Sequence, residues 1–249
     1  MKKIVIVNNK GGVGKTTVAS QLAFHLAGAG FSVVALDLDG QRNLSSVMHA
    51  QRVVGSALDM VMSGVAPEIS AKPGDLLLIA GDAEIPVSAE DDILQNAASA
   101  IAGLEGADFC IIDTPPTFSA VVYGALLAAD AMLTPIELKK FSLDGIEGVL
   151  KAFVQVQEIN AGIAFLGLLP SRFDAVKESE RDTLREVAEH YAHLIVPHAI
   201  RNRVAYEAAE AEGLHIRDIP TRSGREAAIE FQAFVDWFLD ALIMKEAAV

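Results

Sequence analysis

Asn9-Lys10-Gly11-Gly12-Val13-Gly14-Lys15-Thr16-Thr17 follows the apolar run Ile4-Val5-Ile6-Val7 and opens onto a helical pattern. Three glycines let the backbone curl with its N–H groups pointing inward, and the helix that follows aims the positive end of its dipole at the same spot. Strand, glycine turn, Gly-Lys-Thr-Thr and helix, in that order, make a phosphate cradle. Gly11, Gly12, Val13 and Gly14 form the turn. Lys15 stands where a P-loop lysine reaches the β- and γ-phosphates of a nucleotide, and Thr16 where a hydroxyl ligates Mg²⁺. The strict pattern has glycine where this chain has Asn9, and a second lysine, Lys10, stands at the mouth of the loop. Lys10 could be a solvated lysine ending a strand, but in this motif it reads as a further cation for phosphate charge.

Working outward, strand-like runs alternate with helical patterns. Strands are expected at Lys3 to Asn8, Ser32 to Asp37, Leu76 to Ala80, Asp108 to Asp113, Ala131 to Pro135, Ile163 to Leu169 and Leu194 to Val196. Helices are expected at Thr16 to Ala29, Ser56 to Met62, Leu143 to Ile159, Glu178 to Tyr191 and about Ala227 to Met244. Strands separated by helices imply right-handed crossovers and a largely parallel twisted sheet with helices on both faces, an α/β P-loop NTPase-like fold. In such a sheet ligands bind at the carboxyl ends of strands, so the glycine turn, Asp37 to Asp39 and Asp113 should converge on one edge.

At 249 residues, with 51% of them apolar, the chain is ample for one core, and residues 1–249 read as a single domain. The single cysteine, Cys110, lies mid-strand and excludes a disulfide within the chain, which suits a reducing cytoplasm. Met1-Lys2-Lys3 leads at once into a β-run, and no stretch reaches eighteen uninterrupted apolar residues, so the expectation is an unexported, soluble protein. The net charge of −13 weighs against a globally basic nucleic-acid binder but leaves room for a local patch. Lys139-Lys140, Arg172, Arg201, Arg203, Arg217, Arg222 and Arg225 are the candidates, diluted by Glu207, Glu210, Glu212 and Asp218.

Lys10 to Thr17 resembles the loop of the deviant Walker A ATPases, the superfamily that includes ParA, MinD and the nitrogenase iron protein. Val33-Val34-Ala35-Leu36-Asp37-Leu38-Asp39 with Gly40-Gln41-Arg42-Asn43 is similar to the second strand and switch loop of ParA proteins, except that Gly40 replaces the usual proline. Phe109-Cys110-Ile111-Ile112-Asp113-Thr114-Pro115-Pro116 resembles their Walker B strand. Weaker similarity runs through Thr134-Pro135-Ile136, Phe141-Ser142-Leu143-Asp144-Gly145 and Val196-Pro197. One cysteine is too few for the iron–sulfur branch.

The resemblance implies an ATPase using ATP and Mg²⁺, slow without its partner. It assigns Asp39 to positioning the attacking water, Thr16, Asp37 and Asp113 to the Mg²⁺ neighbourhood, and Thr17 to the α-phosphate. Lys10 would reach across an ATP-dependent homodimer to the partner's nucleotide. Arg201 and Arg203 stand where ParA proteins carry arginines for nonspecific DNA. The family implies a ParB-like or other adaptor that stimulates hydrolysis, and plasmid or chromosome partition, or cargo positioning, as the task. The chain would then be cytoplasmic and nucleoid-associated in its ATP state. A glycine turn within the first ten residues fits the short ParA class. Two alternatives differ in class. MinD-like membrane cycling needs a basic amphipathic C-terminal helix, whereas the segment carrying Phe231, Phe234, Val235, Phe238, Leu242 and Ile243 also carries Glu230, Asp236 and Asp240. A metabolic P-loop synthetase would not need Lys10 or the Asp-Gly-Gln loop. His190, His193 and His198 read as surface histidines rather than metal ligands, and Gly81 to Asp92 as a solvated acidic loop.

Overall fold

The computed structural model describes residues 1–140 and 143–246. The resemblance noted at Phe141 and Ser142 therefore lies outside the described residues. Eight strands form one sheet: β1 (Lys2–Ile6), β2 (Val33–Asp37), β3 (Arg52–Ser56), β4 (Leu76–Ala80), β5 (Phe109–Asp113), β6 (Ala131–Glu137), β7 (Ala164–Phe173) and β8 (Ile200–Arg201). Their order is β3-β4-β2-β5-β1-β6-β7-β8, and every pairing is parallel. Nine α-helices are described: α1 (Lys15–Gly28), α2 (Asn43–Val47), α3 (Ala57–Ser63), α4 (Asp91–Ala102), α5 (Ala120–Leu127), α6 (Leu143–Gln157), α7 (Glu178–Tyr191), α8 (Val204–Glu212) and α9 (Arg222–Glu246).

The strands are continuous apolar runs because both faces are covered. Side chains alternate across a strand, so Ile4 and Ile6 of β1 join a core with Val33, Ala35, Ile111 and Leu133 beneath α1 and α9. Val5 and Val7 point the other way, into a second core with Val34, Leu36, Cys110 and Ile112 under α4, α5 and α6. Cys110 is fully buried and its thiol is pushed up to about 12 by burial, a small apolar core residue. On α9, Phe231, Phe234, Val235 and Phe238 recur at helical spacing and are buried in the first core. As far as Phe238 the apolar side of that helix is committed to the sheet, whereas Ile243, further along, is 66% exposed. No helix among the described residues is long and apolar enough to cross a membrane.

Several elements depart from the sequence reading. The expected strand at Leu194 to Val196 is a single bridge from Ile195 to Leu168, and the eighth strand comes later, at Ile200–Arg201. Pro197 has no N–H with which to extend a ladder there. Asp91 and Asp92 leave the acidic loop and occupy the first turn of α4, where carboxylates complement the helix dipole. The helices α2, α4, α5 and α8 and the strand β3 had no clear sequence signal, being short or rich in alanine. The C-terminal helix begins five residues earlier than the periodicity predicts, at Arg222.

At the end of α1 remote from the glycine turn, two histidines are buried together. The rings of His25 and His215 lie 4.0 Å apart, His25 stacks on Phe231 at 4.7 Å, and its Nδ1 meets the Gln21 carbonyl oxygen at 2.7 Å. Burial pushes His25 down to about 4 and His215 to about 3, with Arg217 adding to both. A depressed imidazole takes its proton preferentially in the unfolded chain, so its contribution is complete above about pH 6.5 and is lost as pH falls toward those values. Urea melts at pH 7 and pH 5 should therefore show a loss on the order of 2–4 kcal/mol from the pair. A His25→Phe/His215→Phe double variant should show a shallower loss.

Candidate functional site

The loop between β1 and α1 is built from backbone geometry that needs glycine. Gly12 and Gly14 have φ of 75° and 90°, the left-handed region, and a Cβ on Gly14 would stand 2.6 Å from the Ser171 hydroxyl. The first turn of α1 carries no acidic residue to offset its positive end. Asn8, buried below the loop, donates to the Pro135 carbonyl at 2.7 Å and accepts the Lys10 N–H at 2.9 Å, which pins the start of the turn to β6. Lys15 is 7% exposed, and its ammonium donates back to the Lys10 carbonyl at 3.1 Å. Burial pulls that ammonium below its ordinary value while Asp113 and Asp39 hold it up.

Parallel register brings the carboxylates to the same edge. Ile6 pairs with Asp113, and Asp113 pairs with Asp37. Asp113 is fully buried, accepts the Thr16 hydroxyl at 2.7 Å and its neighbour's N–H, that of Thr114, at 3.1 Å. Burial pushes its carboxyl up to about 7; the Thr16 hydrogen bond opposes this, and the nearby charge of Asp37 adds to it. Asp39 lies at the cavity wall and accepts the Gln41 N–H at 2.9 Å. Asp37 is placed differently. Its carboxylate accepts both the N–H and the hydroxyl of Ser45, at 2.8 and 2.7 Å, and the Asp39 N–H at 3.1 Å. It thereby caps the third residue of α2 and holds the loop that carries Asp39. Gly81 is packed against it, since a Cβ there would lie 2.8 Å from the Asp37 carboxyl carbon.

These parts surround a cavity of about 590 Å³, the size of a small-molecule or nucleotide site. Gly11, Gly12, Gly14, Lys15, Thr16, Thr17 and Asp39 line it, as the sequence leads one to expect. Val13 is buried under the turn, and neither Asp37 nor Asp113 forms part of the wall. Inward-facing amides, a lysine and an open volume suit a polyphosphate. Hydroxyl and carboxylate oxygens paired at 2.7 Å, with no sulfur or imidazole, suit Mg²⁺ among metals.

Among the wall residues that the sequence reading did not place at the site are three charged ones, Arg172, Glu207 and Glu210. Arg172 has φ of 54° and sits at a bulge where β7 pairs with β8 through Ser171 and Phe173, skipping it. The bulge puts an arginine that reads as surface charge on the cavity wall. Glu210, on α8, accepts the Thr17 hydroxyl across the cavity floor. Nothing in the alanine- and glutamate-rich sequence of α8 distinguishes Glu210 from its solvated neighbours. Gly40, in the place of a proline, has ordinary space around it: a Cβ would approach nothing closer than the Ala83 carbonyl at 3.6 Å.

Arg201 and Arg203 are absent from the wall of the main cavity and line a smaller crevice beside it, together with Thr17 and Arg172. Arg203 is largely buried, donating to Glu226 at 2.6 Å and to both carboxylate oxygens of Glu230 at 2.7 and 3.1 Å. Arg201 is 53% exposed and reaches Glu230 at 3.2 Å. The three histidines His190, His193 and His198 form no metal cluster, and among the described residues no group of three or more His, Cys, Asp or Glu is placed to hold an ion.

Residues 1–165 match the family described as AAA domain. Over 250 residues the chain is 31% identical to Protein IncC of Escherichia coli, covering 95% of this chain and 69% of that one. It is 28% identical over 241 residues to the chromosome-partitioning ATPase Soj of Thermus thermophilus, covering 91% and 92%. Among solved structures, cobyrinic acid a,c-diamide synthase from Mycobacterium smegmatis with bound ADP and magnesium superimposes with a TM-score of 0.77 at 24% identity, covering 96% and 94%. That likeness is one of fold.

The different settings of the two aspartates predict different phenotypes. Asp37→Ala removes three accepted hydrogen bonds from a buried position and should lower unfolding free energy by on the order of 2–4 kcal/mol in denaturant melts. Asp39→Ala should cost less than about 1 kcal/mol, because its carboxylate supports one loop N–H at the cavity edge.

Proposed function

The chain belongs to the AAA-domain family, as a ParA/MinD-type partition ATPase, and from that membership we propose a Mg²⁺-dependent ATP hydrolase that switches between a monomer and an ATP-bound homodimer. In this reading the dimer binds DNA nonspecifically, and an adaptor protein of the ParB kind stimulates hydrolysis and releases it. Residues 1–249 act as one ATPase unit. The observation that carries the reading is the Thr16–Asp113 hydrogen bond directly beneath the glycine turn, with Lys15 and Asp39 beside the same cavity.

The roles follow from position. The amides of Gly11 to Thr17 and the ammonium of Lys15 hold the phosphates. Thr16 and Asp113 would hold Mg²⁺, which when bound neutralises charge on the transferring phosphoryl group. Asp37 supports this neighbourhood from behind, through Ser45 and the Asp39 amide. Asp39 orients water at the cavity wall, which suffices because phosphoryl transfer depends on alignment more than on a strong base. Lys10, fixed at the loop's mouth by Asn8, supplies a second cation to the partner's nucleotide in the dimer. DNA phosphates would be met by Arg201, whose guanidinium is half exposed, with Arg203 anchoring the strand-to-helix turn beneath it. The burial of Phe231, Phe234 and Phe238 against the sheet favours DNA over a membrane as the surface on which the protein cycles.

Binding of nonspecific duplex DNA, measured in ATP and in ADP over a range of salt, tests the whole cycle. ATP-dependent binding that weakens steeply with salt is expected, and Arg201→Ala should weaken it by roughly tenfold. No binding in either nucleotide, with dimerisation intact, would sink the DNA limb of the proposal. Individual roles separate in three variants. Lys15→Ala should lose nucleotide. Asp39→Ala should retain ATP and lose at least about 100-fold in turnover. Lys10→Ala should bind ADP normally yet stay monomeric with ATP on a sizing column.

A further inference from the structure

Thr17, the residue expected at the α-phosphate, already has a partner of the same charge as a phosphate. Its hydroxyl donates to Glu210, 193 residues further along the chain, on α8. A hydroxyl has one proton to give, so Glu210 and a phosphate oxygen cannot both accept it. Glu210 is also in the wall of the main cavity, and a phosphate seated at Thr17 would face its anion across a few ångströms of half-buried space.

The surroundings offer the carboxylate somewhere to go. Arg172, exposed at the β7 bulge, lines the main cavity with Glu210 and shares with it an adjoining crevice of about 30 Å³. Burial pushes the Glu210 carboxyl above its ordinary value, the Thr17 hydrogen bond and the charge of Arg172 oppose this, and Arg172 and Glu210 form no close ion pair here. The walls of that crevice include Arg201 and Arg203.

The helix that carries Glu210 is packed against nucleotide-facing elements at two points. Glu210 ties α8 to the first turn of α1 through Thr17, and Gly213, at its C-terminal end with φ of 67°, sits so close to Val47 and His49 that a Cβ would meet their atoms at 2.7 Å. Val47 ends α2, the helix Asp37 caps. At its other end α8 starts from Arg203, the residue held by Glu226 and Glu230 of α9.

We infer that Glu210 is an internal competitor for the α-phosphate: it holds the Thr17 hydroxyl, opposes nucleotide binding, and on binding withdraws toward Arg172, so that occupancy of the pocket is transmitted to α8. The inference rests on the nucleotide-binding reading above. Because ADP and ATP share the α-phosphate, the opposition is the same for both and is independent of hydrolysis and of the dimer.

The test is a titration of the full chain with fluorescent ADP and ATP analogues in Mg²⁺, comparing the unaltered protein with Glu210→Gln, Glu210→Ala and Lys15→Ala. Glu210→Gln keeps an oxygen that can accept from Thr17 but removes the charge, and Glu210→Ala removes both. Both should tighten ADP and ATP alike, by roughly tenfold, with the alanine variant at least as tight as the glutamine. Hydrogen exchange supplies the second readout. Nucleotide should change protection at residues 204–212 in the unaltered protein and change it much less in Glu210→Ala. Equal or weaker binding by both Glu210 variants, in a protein whose binding is abolished by Lys15→Ala, overturns this inference and leaves the nucleotide reading standing. An unaltered protein that binds neither analogue overturns both.

Discussion

Everything at the site depends on the register of three neighbouring parallel strands. Ile6 of β1 lies beside Asp113 of β5, which lies beside Asp37 of β2, so three chain segments leave the sheet at the same height. Side chains alternate between faces, and a slip of one residue would send Asp113 away from Thr16 and each apolar neighbour to the wrong core. Two separate cores oppose such a slip, because Ile4 and Ile6 belong to one and Val5 and Val7 to the other. The accuracy of a hydrogen bond between residues 97 positions apart, Thr16 to Asp113, is thus maintained by hydrophobic packing on both sides of β1.

That packing is also what makes the site electrostatically tense. Asp37, Asp39 and Asp113 act on one another, and Asp39 and Asp113 act on Lys15. Burial raises Asp37 and Asp113 and lowers Lys15, so each group is disfavoured in its charged form by the same cause. Asp37 is satisfied locally by Ser45 and the Asp39 amide. Asp113 has the Thr16 hydroxyl and one amide, less than an ionised carboxylate can accept. A divalent cation near that pair would favour the ionised form, which is the sense in which the ion and the protein complete one another. The two aspartates, alike in chemistry, thus differ in their partners: Asp37 is fully engaged by protein donors and Asp113 is left with acceptor capacity to spare.

The glycine turn, the central strands and the convergence of Asp39 and Asp113 were legible because each rests on local pattern: positive-φ glycines, unbroken apolar runs, and an aspartate at a strand end. The fold followed from the alternation of those runs with helical periods. What escaped the sequence depends on contacts between distant segments. Asp37 and Asp39 are two residues apart and look equivalent, yet Ser45 claims only the first. Arg172 is the surface charge it reads as, exposed, and what the sequence hides is that the bulge between Ser171 and Phe173 puts it on the cavity wall. Glu210 lies among alanines and other glutamates in α8, and only the approach of that helix to the first turn of α1 gives it Thr17 as a partner. Arg201 and Arg203 were legible as cations, whereas Glu226 and Glu230, which hold them, come from another helix.

Those two glutamates bear on how an acidic protein could hold DNA. A chain with net charge −13 has little long-range attraction for a polyanion, so any contact with DNA would rest on local cations, of which Arg201 and Arg203 have carboxylate partners nearby. Arg203 is fixed by Glu230 in a two-pronged pair and by Glu226, and removing it from them would leave two carboxylates close together. Arg201 shares Glu230 through a single contact and keeps half its surface in water, so a phosphate can approach without dismantling the pair below. The buried arginine then serves the exposed one by holding Glu230 in place and taking up much of its charge. Pairing two protomers would double the arginines available to a phosphate backbone. An acidic P-loop protein of this design would therefore depend on dimerisation for its grip on DNA far more than a basic one would.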